Sequence, residues 1–473
     1  MPTTPYPTST ICAIATAPGV GGIAIIRLSG AKALAIASQH LQSQDKPIDL
    51  VNRPARRAVY ADFVDGSELI DEVIVLPFVA PHSFTGEDVV EISCHGSRFI
   101  TRRILEVLIA SGAEMARPGE FSQRAYLNGR LDLAEAEAVA DIIASETQAQ
   151  HRMAMQQMRG GFSARLVELR SELLKFTSLM ELELDFPEED VEFADRSELQ
   201  QLAESISHQI ARLVDSYRLG NAVRSGIPVA LVGATNAGKS TLLNTLLGEE
   251  RAIVSDIHGT TRDTVEDTFT LGGYLFRFVD TAGFRHTSDT IEALGIQRSR
   301  AKMQSSEIVL ILVDASRIDE VEQRTTLDEI LSTSVEGTRL VLINKSDLVT
   351  PETIHRIQEQ FAQRGFASEH ILTLSAQDDS SVDALRACLV RLISEGTAQQ
   401  PDIMVSNARH HQLLSEASHA LHTLIDGMND GTPTDLLTLE LRTAIRAIGE
   451  ITGEAITSDE ALHYIFAHFC IGK

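Results

Sequence analysis

Gly233-Ala-Thr-Asn-Ala-Gly-Lys-Ser240 lies near the middle of a chain of 473 residues. The run before it, residues 227–232, is apolar enough for a buried strand. Thr241-Leu-Leu-Asn-Thr-Leu-Leu247 after it reads as the first turns of a helix. Gly-x-x-x-x-Gly-Lys-Ser between strand and helix has the geometry of a phosphate cradle. Its glycines let backbone N–H groups wrap the phosphates, Lys239 reaches the terminal ones, and the Ser240 hydroxyl is a magnesium ligand. Asn236, Ala237, Gly238, Lys239, Ser240 and Thr241 are therefore expected to touch a nucleoside triphosphate.

Working outward, three further segments name the base and complete the site. Asp280-Thr281-Ala282-Gly283 closes a second apolar run, residues 275–279, where an acid can hold magnesium through water and a glycine N–H can sense the γ-phosphate. Asn344-Lys345-Ser346-Asp347 follows a third, residues 340–343. There the Asp347 carboxylate can accept the ring N–H and the exocyclic amine of guanine, donors that adenine does not offer on that edge. Ser375-Ala376-Gln377, after residues 371–374, would bring a backbone N–H to the guanine oxygen. Four elements in this order, each ending an apolar run, predict a guanine-nucleotide GTPase domain.

Length allows about three domains with their own cores. Hydrophobic residues make up 43% and charged residues 23%, which fits a soluble globular chain. No apolar stretch approaches the roughly 20 residues of a membrane span. No basic residue precedes Arg27, against a targeting peptide. Cys12, Cys94, Cys388 and Cys470 are too few and scattered for a disulfide framework or zinc site, so a reducing cytoplasm is expected. The net charge of −25 argues against wrapping nucleic acid. The excess is uneven: residues 1–130 hold 12 Lys+Arg against 13 Asp+Glu, and the remainder 29 against 53. Direct RNA contact would thus fall in the first segment, where Arg98, Arg102, Arg103, Arg117 and Arg124 gather; an ordinary solvated helix face fits them equally well.

Short apolar runs (22–28, 72–78, 89–94) and a helical stretch near 97–111 predict a small α+β domain over 1–128. Helical spacing then dominates 131–184, interrupted at Gly160-Gly161, and resumes over 198–219. After Pro401 it returns over 406–451 and 458–469. The expected architecture is multidomain α/β and α. A P-loop GTPase domain with a doubly wound, mostly parallel sheet (221–395) is inserted in an all-α helical domain built from 129–220 and 396–473. Insertion is plausible because domain termini usually lie close together.

Thr260 and Thr261, in Gly259-Thr-Thr-Arg-Asp263, can complete a magnesium shell and fold their loop over the γ-phosphate. Phe284 stands where many GTPases place a glutamine that orients water, so another group must do that work. Arg285 is a candidate arginine finger or a surface ion pair. The Asn236 amide oxygen can bind a monovalent cation beside the phosphates, or simply cap the turn.

These residues resemble the MnmE (TrmE) family of tRNA wobble-uridine modification GTPases, together with Gly21-Gly-Ile-Ala-Ile-Ile-Arg-Leu-Ser-Gly30, Ser83-Phe-Thr-Gly-Glu-Asp-Val-Val-Glu91, Arg117-Pro-Gly-Glu-Phe-Ser122 and Phe469-Cys-Ile-Gly-Lys473. The likeness runs over nearly the whole chain except the first ten or so residues. It implies a potassium-activated GTPase whose two G domains meet across a homodimer. Asn236, Ser255, Ile257 and Thr260 would cradle potassium, and Ser240 and Thr261 magnesium. The whole segment Ser255, Asp256, Ile257, His258, Gly259, Thr260 and Thr261 would contact nucleotide. Glu292 would orient the hydrolytic water, beside Lys239 and Arg285 in catalysis.

The resemblance further implies an FAD-dependent flavoprotein partner of the MnmG (GidA) family. The two would form a heterotetramer that uses NADH through the partner and acts on tRNA. They would build a carboxymethylaminomethyl group on the wobble uridine, with a one-carbon unit from 5-formyl- or 5,10-methylene-tetrahydrofolate. The folate site carries over as Arg27, Glu91, Arg130 and Lys473 in the N-terminal domain, which also dimerises. A pterin edge offers donors that Glu91 can accept, and basic residues suit folate carboxylates. Arg130 stands where the family often has lysine, so charge survives with different geometry. Cys470 is either a reactive thiol or a packed one; Gly472 and Lys473 are wrong for a prenylation box. The competing reading is a regulatory GTPase switch, as in ribosome assembly or stress, without modification chemistry. It has no use for the stretches around Arg27 and Glu91. A membrane role is not expected.

Overall fold

The computed structural model describes residues 9–185, 196–248, 267–279, 300, 303–399, 403–454, 462, 465–467, 469 and 472. The chain divides into two compact units. One comprises Met1–Ile143, Met155–Ile206 and His419–Lys473, and the other Ala144–Ala154 and Ser207–Ser418.

The first unit opens with an eight-stranded sheet: β1 (Ile11–Ile14), β2 (Gly21–Ser29), β3 (Leu41–Ser43), β4 (Lys46–Pro47), β5 (Val59–Asp65), β6 (Glu68–Phe78), β7 (Val89–Gly96) and β8 (Glu114–Met115). Its order is β4-β3-β5-β6-β7-β2-β1-β8. All neighbours are antiparallel except β1 and β8. Alternation along the strands sends Ile26, Leu28, Phe63, Val73, Val75, Val90 and Ile92 to one face. Helices α1 (Ala33–Ser38) and α2 (Arg98–Ala110) close that face with Leu34, Ile36, Ile104 and Leu108. The alternate residues form cross-strand rows on the other face, one of them Leu76, Glu91 and Arg27.

Next come α3 (Glu120–Leu127), α4 (Leu133–Ala144), α5 (Gln148–Met158) and α6 (Gly161–Asp185). Gly160, at φ +76, makes the break expected between the last two. α7 (Arg196–Ser225) runs across the boundary of the two units.

The second unit holds a six-stranded sheet of β9 (Ile227–Gly233), β10 (Asp267–Leu271), β11 (Tyr274–Phe278), β12 (Ile308–Asp314), β13 (Thr338–Asn344) and β14 (Ile371–Thr373), in the order β10-β11-β9-β12-β13-β14. Only β10 runs antiparallel to its neighbour. Every residue of β12 is buried, as expected of a parallel strand covered on both faces. Ile308, Leu310 and Leu312 join the core beneath α8 (Lys239–Leu247) and, further on, α11 (Asp379–Gln399). Val309, Ile311 and Val313 join the core on the opposite face, under α9 (Val321–Ser332) and α10 (Pro351–Gln363). The sheet is therefore doubly wound, and β9, β12, β13 and β14 all end on the edge where such folds bind ligands.

The single helical span expected over 406–451 is two helices, α12 (Ala408–Asp430) and α13 (Thr434–Thr452). Gly431 adopts φ +74, and Pro433, which has no N–H to donate, stands before the next helix. The Thr432 N–H turns back to the Gly427 carbonyl. α13 packs along α6 in the first unit. No helix among the described residues is long and apolar enough to cross a membrane.

Candidate functional site

The loop between β9 and α8 is held by close backbone contacts. A Cβ on Gly233 would lie 2.3 Å from the Leu312 carbonyl of β12. Asn236 is left-handed at φ +59. Gly238, at φ +101, passes so near Asn344 that a Cβ there would meet the amide Nδ2 at 2.4 Å. Only glycine serves at such a position. Lys239 Nζ donates to the Gly233 and Ala234 carbonyls, both at 2.7 Å. Burial lowers its pKa to about 8, because desolvation penalises the ammonium. The ammonium thus lies inside its own loop, held by two carbonyls at the place where a phosphate cradle needs a cation. Ser240 and Thr241, on the first turn of α8, are exposed.

Asn344 ends β13 almost wholly buried, at 1% exposure. Its Nδ2 donates to the Ala237 carbonyl at 2.7 Å, and its Oδ1 accepts the Ala376 N–H at 2.9 Å. One amide therefore ties the phosphate loop to the segment expected to read guanine. That segment is braced further: Ser375 N–H donates to Ser381 Oγ, which donates back to the Ser375 carbonyl, and Thr245 Oγ1 donates to the Ala376 carbonyl. Among the described residues this leaves the Gln377 N–H as the uncommitted backbone donor of Ser375-Ala376-Gln377. Asp347 stands exposed just past β13, free to meet a base. Lys345, left-handed at φ +58, donates to Asp314 Oδ2 at 2.6 Å. Burial pushes the Asp314 carboxyl pKa up, but hydrogen bonds from Lys345 and Ser316 outweigh it and the net direction is down. Thr235 Oγ1 reaches Glu322 of α9 at 2.7 Å.

The structure brings together Asn236, Ala237, Gly238, Lys239, Ser240 and Thr241 with Asn344, Lys345, Asp347, Ser375, Ala376 and Gln377 at one edge of the sheet. Ser255, Asp256, Ile257, His258, Gly259, Thr260, Thr261, Asp280, Thr281, Ala282, Gly283, Phe284, Arg285 and Glu292 lie outside the described residues. Asp314, Thr245 and Ser381 were not read from the sequence. Asp314 had one signal, an acid closing an unbroken apolar run; the hydroxyls had none.

In the first unit, Arg27 and Glu91 face each other across β2 and β7. Arg27 Nε and Nη2 both donate to Glu91 Oε1, at 3.0 and 2.8 Å. Nη1 donates to the Gly472 carbonyl at 3.2 Å. The guanidinium carbon lies 5.6 Å from the Phe84 ring and 5.7 Å from that of Phe121, within cation–π range. Gly472, at φ +94, packs so tightly that a Cβ would lie 2.3 Å from the Ile14 carbonyl. The chain end is led there by Phe466, whose carbonyl would lie 2.4 Å from a Cβ on Gly119. Beside this pair lies a cavity of about 340 Å³, lined by Glu91, Arg130, Arg56, His82, Phe78 and Phe84 among others. Glu91 and Arg130 thus share a cavity and Arg27 holds Glu91 through one oxygen. Lys473 and Cys470 lie outside the described residues.

The arginines considered for RNA contact are largely occupied by acids. Arg124 is 2% exposed and bonds Glu120, Glu87 and the Ser9 carbonyl. Arg103 pairs with Asp65, Arg102 with Glu106 and Arg117 with Glu120. Arg124 is a structural cation that braces the loop before Glu91; a buried charge is found paired for this reason.

Comparison with known proteins covers almost the whole chain. Residues 133–470 match the MnmE helical domain and residues 10–130 the GTP-binding protein TrmE N-terminus. A "tRNA modification GTPase MnmE" of Porphyromonas gingivalis is 58% identical over 464 residues, covering 98% of this chain and 98% of that protein. A protein of the same description from Bacteroides thetaiotaomicron is 49% identical over 467 residues, covering 98% and 99%.

Proposed function

The chain belongs to the MnmE family of tRNA modification GTPases, and on that premise we propose a potassium-activated GTPase that supports modification of the tRNA wobble uridine. It is a GTP hydrolase with a role in tRNA modification. The observation that carries the hydrolase reading is the buried Asn344 amide, which joins the phosphate loop to the base-reading segment. Asp347 accepts the guanine donors and Lys239 leaves its own loop carbonyls for the phosphates. Ser240 would hold magnesium with Thr261, and Asn236 would hold potassium with Ser255, Ile257 and Thr260. The left-handed, exposed Asn236 beside the cradle supports that role. Magnesium and potassium supply positive charge against the transferring phosphoryl group. Glu292 orients the attacking water, the task Phe284 cannot perform.

The modification reading rests on the first unit. A reduced folate would place its pterin edge against Glu91, whose second oxygen is free of the Arg27 bonds. Homodimer formation and an FAD-dependent MnmG-type partner belong to the same proposal, as does a cytoplasmic location. A regulatory switch without modification chemistry would leave the Arg27–Glu91–Gly472 constellation and its cavity without a use.

Hydrolysis rates in potassium and sodium at matched ionic strength test the proposal. Potassium should accelerate turnover roughly 10³-fold or more, by analogy with an arginine finger. Equal turnover in the two salts removes the cation from the mechanism.

A further inference from the structure

We propose that Arg56, acting with Arg130, forms an anion-reading rim that gives the cavity over Glu91 a preference for reduced folates carrying a poly-γ-glutamate chain. The inference rests on the reduced-folate reading of that cavity. Arg27 is committed to Glu91 and to the Gly472 carbonyl, so it does not face the far end of a ligand whose head lies on Glu91. The cavity, about 340 Å³, is at the small end for ligand pockets. It encloses a bicyclic head and leaves an extended tail at the mouth.

Two arginines of the cavity wall are available there. Arg130 has no hydrogen-bond or ion-pair partner for its guanidinium among the described residues, and its stem rests on Gly86, where a Cβ would meet Arg130 Cγ at 3.1 Å. Arg56 gives one bond, from Nη2 to the His82 carbonyl at 3.3 Å, which turns the guanidinium along the cavity wall. Its backbone is left-handed at φ +61, with the N–H bound to the Pro77 carbonyl of β6 at 2.7 Å. A non-glycine residue holds that conformation only where its surroundings impose it. Arg57, next in the chain, is exposed and also unpaired among the described residues. Glu91 is the acid of the lining and Arg27 already balances its charge, so Arg56 and Arg130 leave the lining net positive. Each added γ-glutamyl unit brings one more carboxylate, and planar guanidinium groups match carboxylates two bonds at a time.

The test is titration calorimetry of the full chain with 5-formyltetrahydrofolate as its monoglutamate and as its tri-γ-glutamate. The parent should bind the triglutamate about five- to tenfold more tightly, a modest factor because the rim is exposed. The preference should shrink as salt rises toward 0.5 M. Arg56→Gln should bring the triglutamate down to the monoglutamate's affinity, and Arg56→Lys should restore part of the gap. A melting curve like the parent's establishes that each variant is folded. Equal binding of the two folates by the parent, or an undiminished preference in Arg56→Gln, overturns the rim while leaving the folate site standing. So does a loss confined to tRNA binding, which would make Arg56 a nucleic-acid contact. Failure of the parent to bind either folate overturns the folate reading itself, and the rim with it.

Discussion

Lys239 is a half-buried ammonium that, among the described residues, bonds the carbonyls of its own loop, and its pKa is lowered to about 8. Triphosphate oxygens favour the charged form, so nucleotide binding raises that pKa and draws in a proton wherever the free protein has lost it. At pH 9, where the γ-phosphate is already fully ionised, binding should take up about nine-tenths of a proton; at pH 7 the lysine contributes roughly one-tenth. Calorimetry in two buffers of different ionisation heat measures this directly, and no uptake at pH 9 would place the ammonium elsewhere. Asp347 makes a second residue-scale claim. In Asp347→Asn the amide donates where the carboxylate accepted, which suits the xanthine carbonyl and opposes the guanine amine. Discrimination should shift toward xanthosine triphosphate by roughly 10⁴-fold. A variant that keeps a strong preference for GTP would show that this carboxylate does not read the base.

At the scale of elements, the phosphate loop was legible because its signal is local: apolar strand, glycines at fixed spacing, lysine, hydroxyl, helix. The same holds for Asn344-Lys345-Ser346-Asp347 and for the strands around Arg27 and Glu91. What joins these segments was not legible. Asn344 reaches Ala237 and Ala376 across 107 and 32 residues of sequence, and the Lys345–Asp314 pair spans 31. No periodicity encodes contacts of that range. The break between α12 and α13 is hidden in the sequence for a different reason: helical spacing persists on both sides of Gly431 and Pro433 and masks the turn. The joint between loop and strand gives a prediction. Gly238→Ala combines a strained φ with a Cβ 2.4 Å from Asn344 Nδ2, so the Asn344 bridge must shift. Nucleotide affinity should fall at least about tenfold, alongside roughly 1–3 kcal/mol of stability. Gly431→Ala, strained at φ +74 but with nothing within 4 Å, should cost about 1 kcal/mol without touching affinity. Equal nucleotide effects from both substitutions would mean that strain alone, and not the bridge, governs the site.

Across the whole molecule, the nucleotide edge and the Arg27–Glu91 pair lie in separate compact units. Gly472 meets Arg27 in the unit that contains both, so the proposed folate site includes the chain end. Removing Gly472-Lys473 should therefore abolish modification while GTP hydrolysis continues, since the residues proposed to contact nucleotide all lie between Gly233 and Gln377. Nucleoside analysis of tRNA tests the modification role most directly. A strain without this protein, and the same strain carrying the parent, Asp347→Asn, Glu91→Ala or the truncated chain, would be compared by mass spectrometry of the wobble uridine. The carboxymethylaminomethyl nucleoside should be absent without the protein, restored by the parent, and not restored by any of the three variants. Undiminished modification in the strain that lacks the protein would contradict that role.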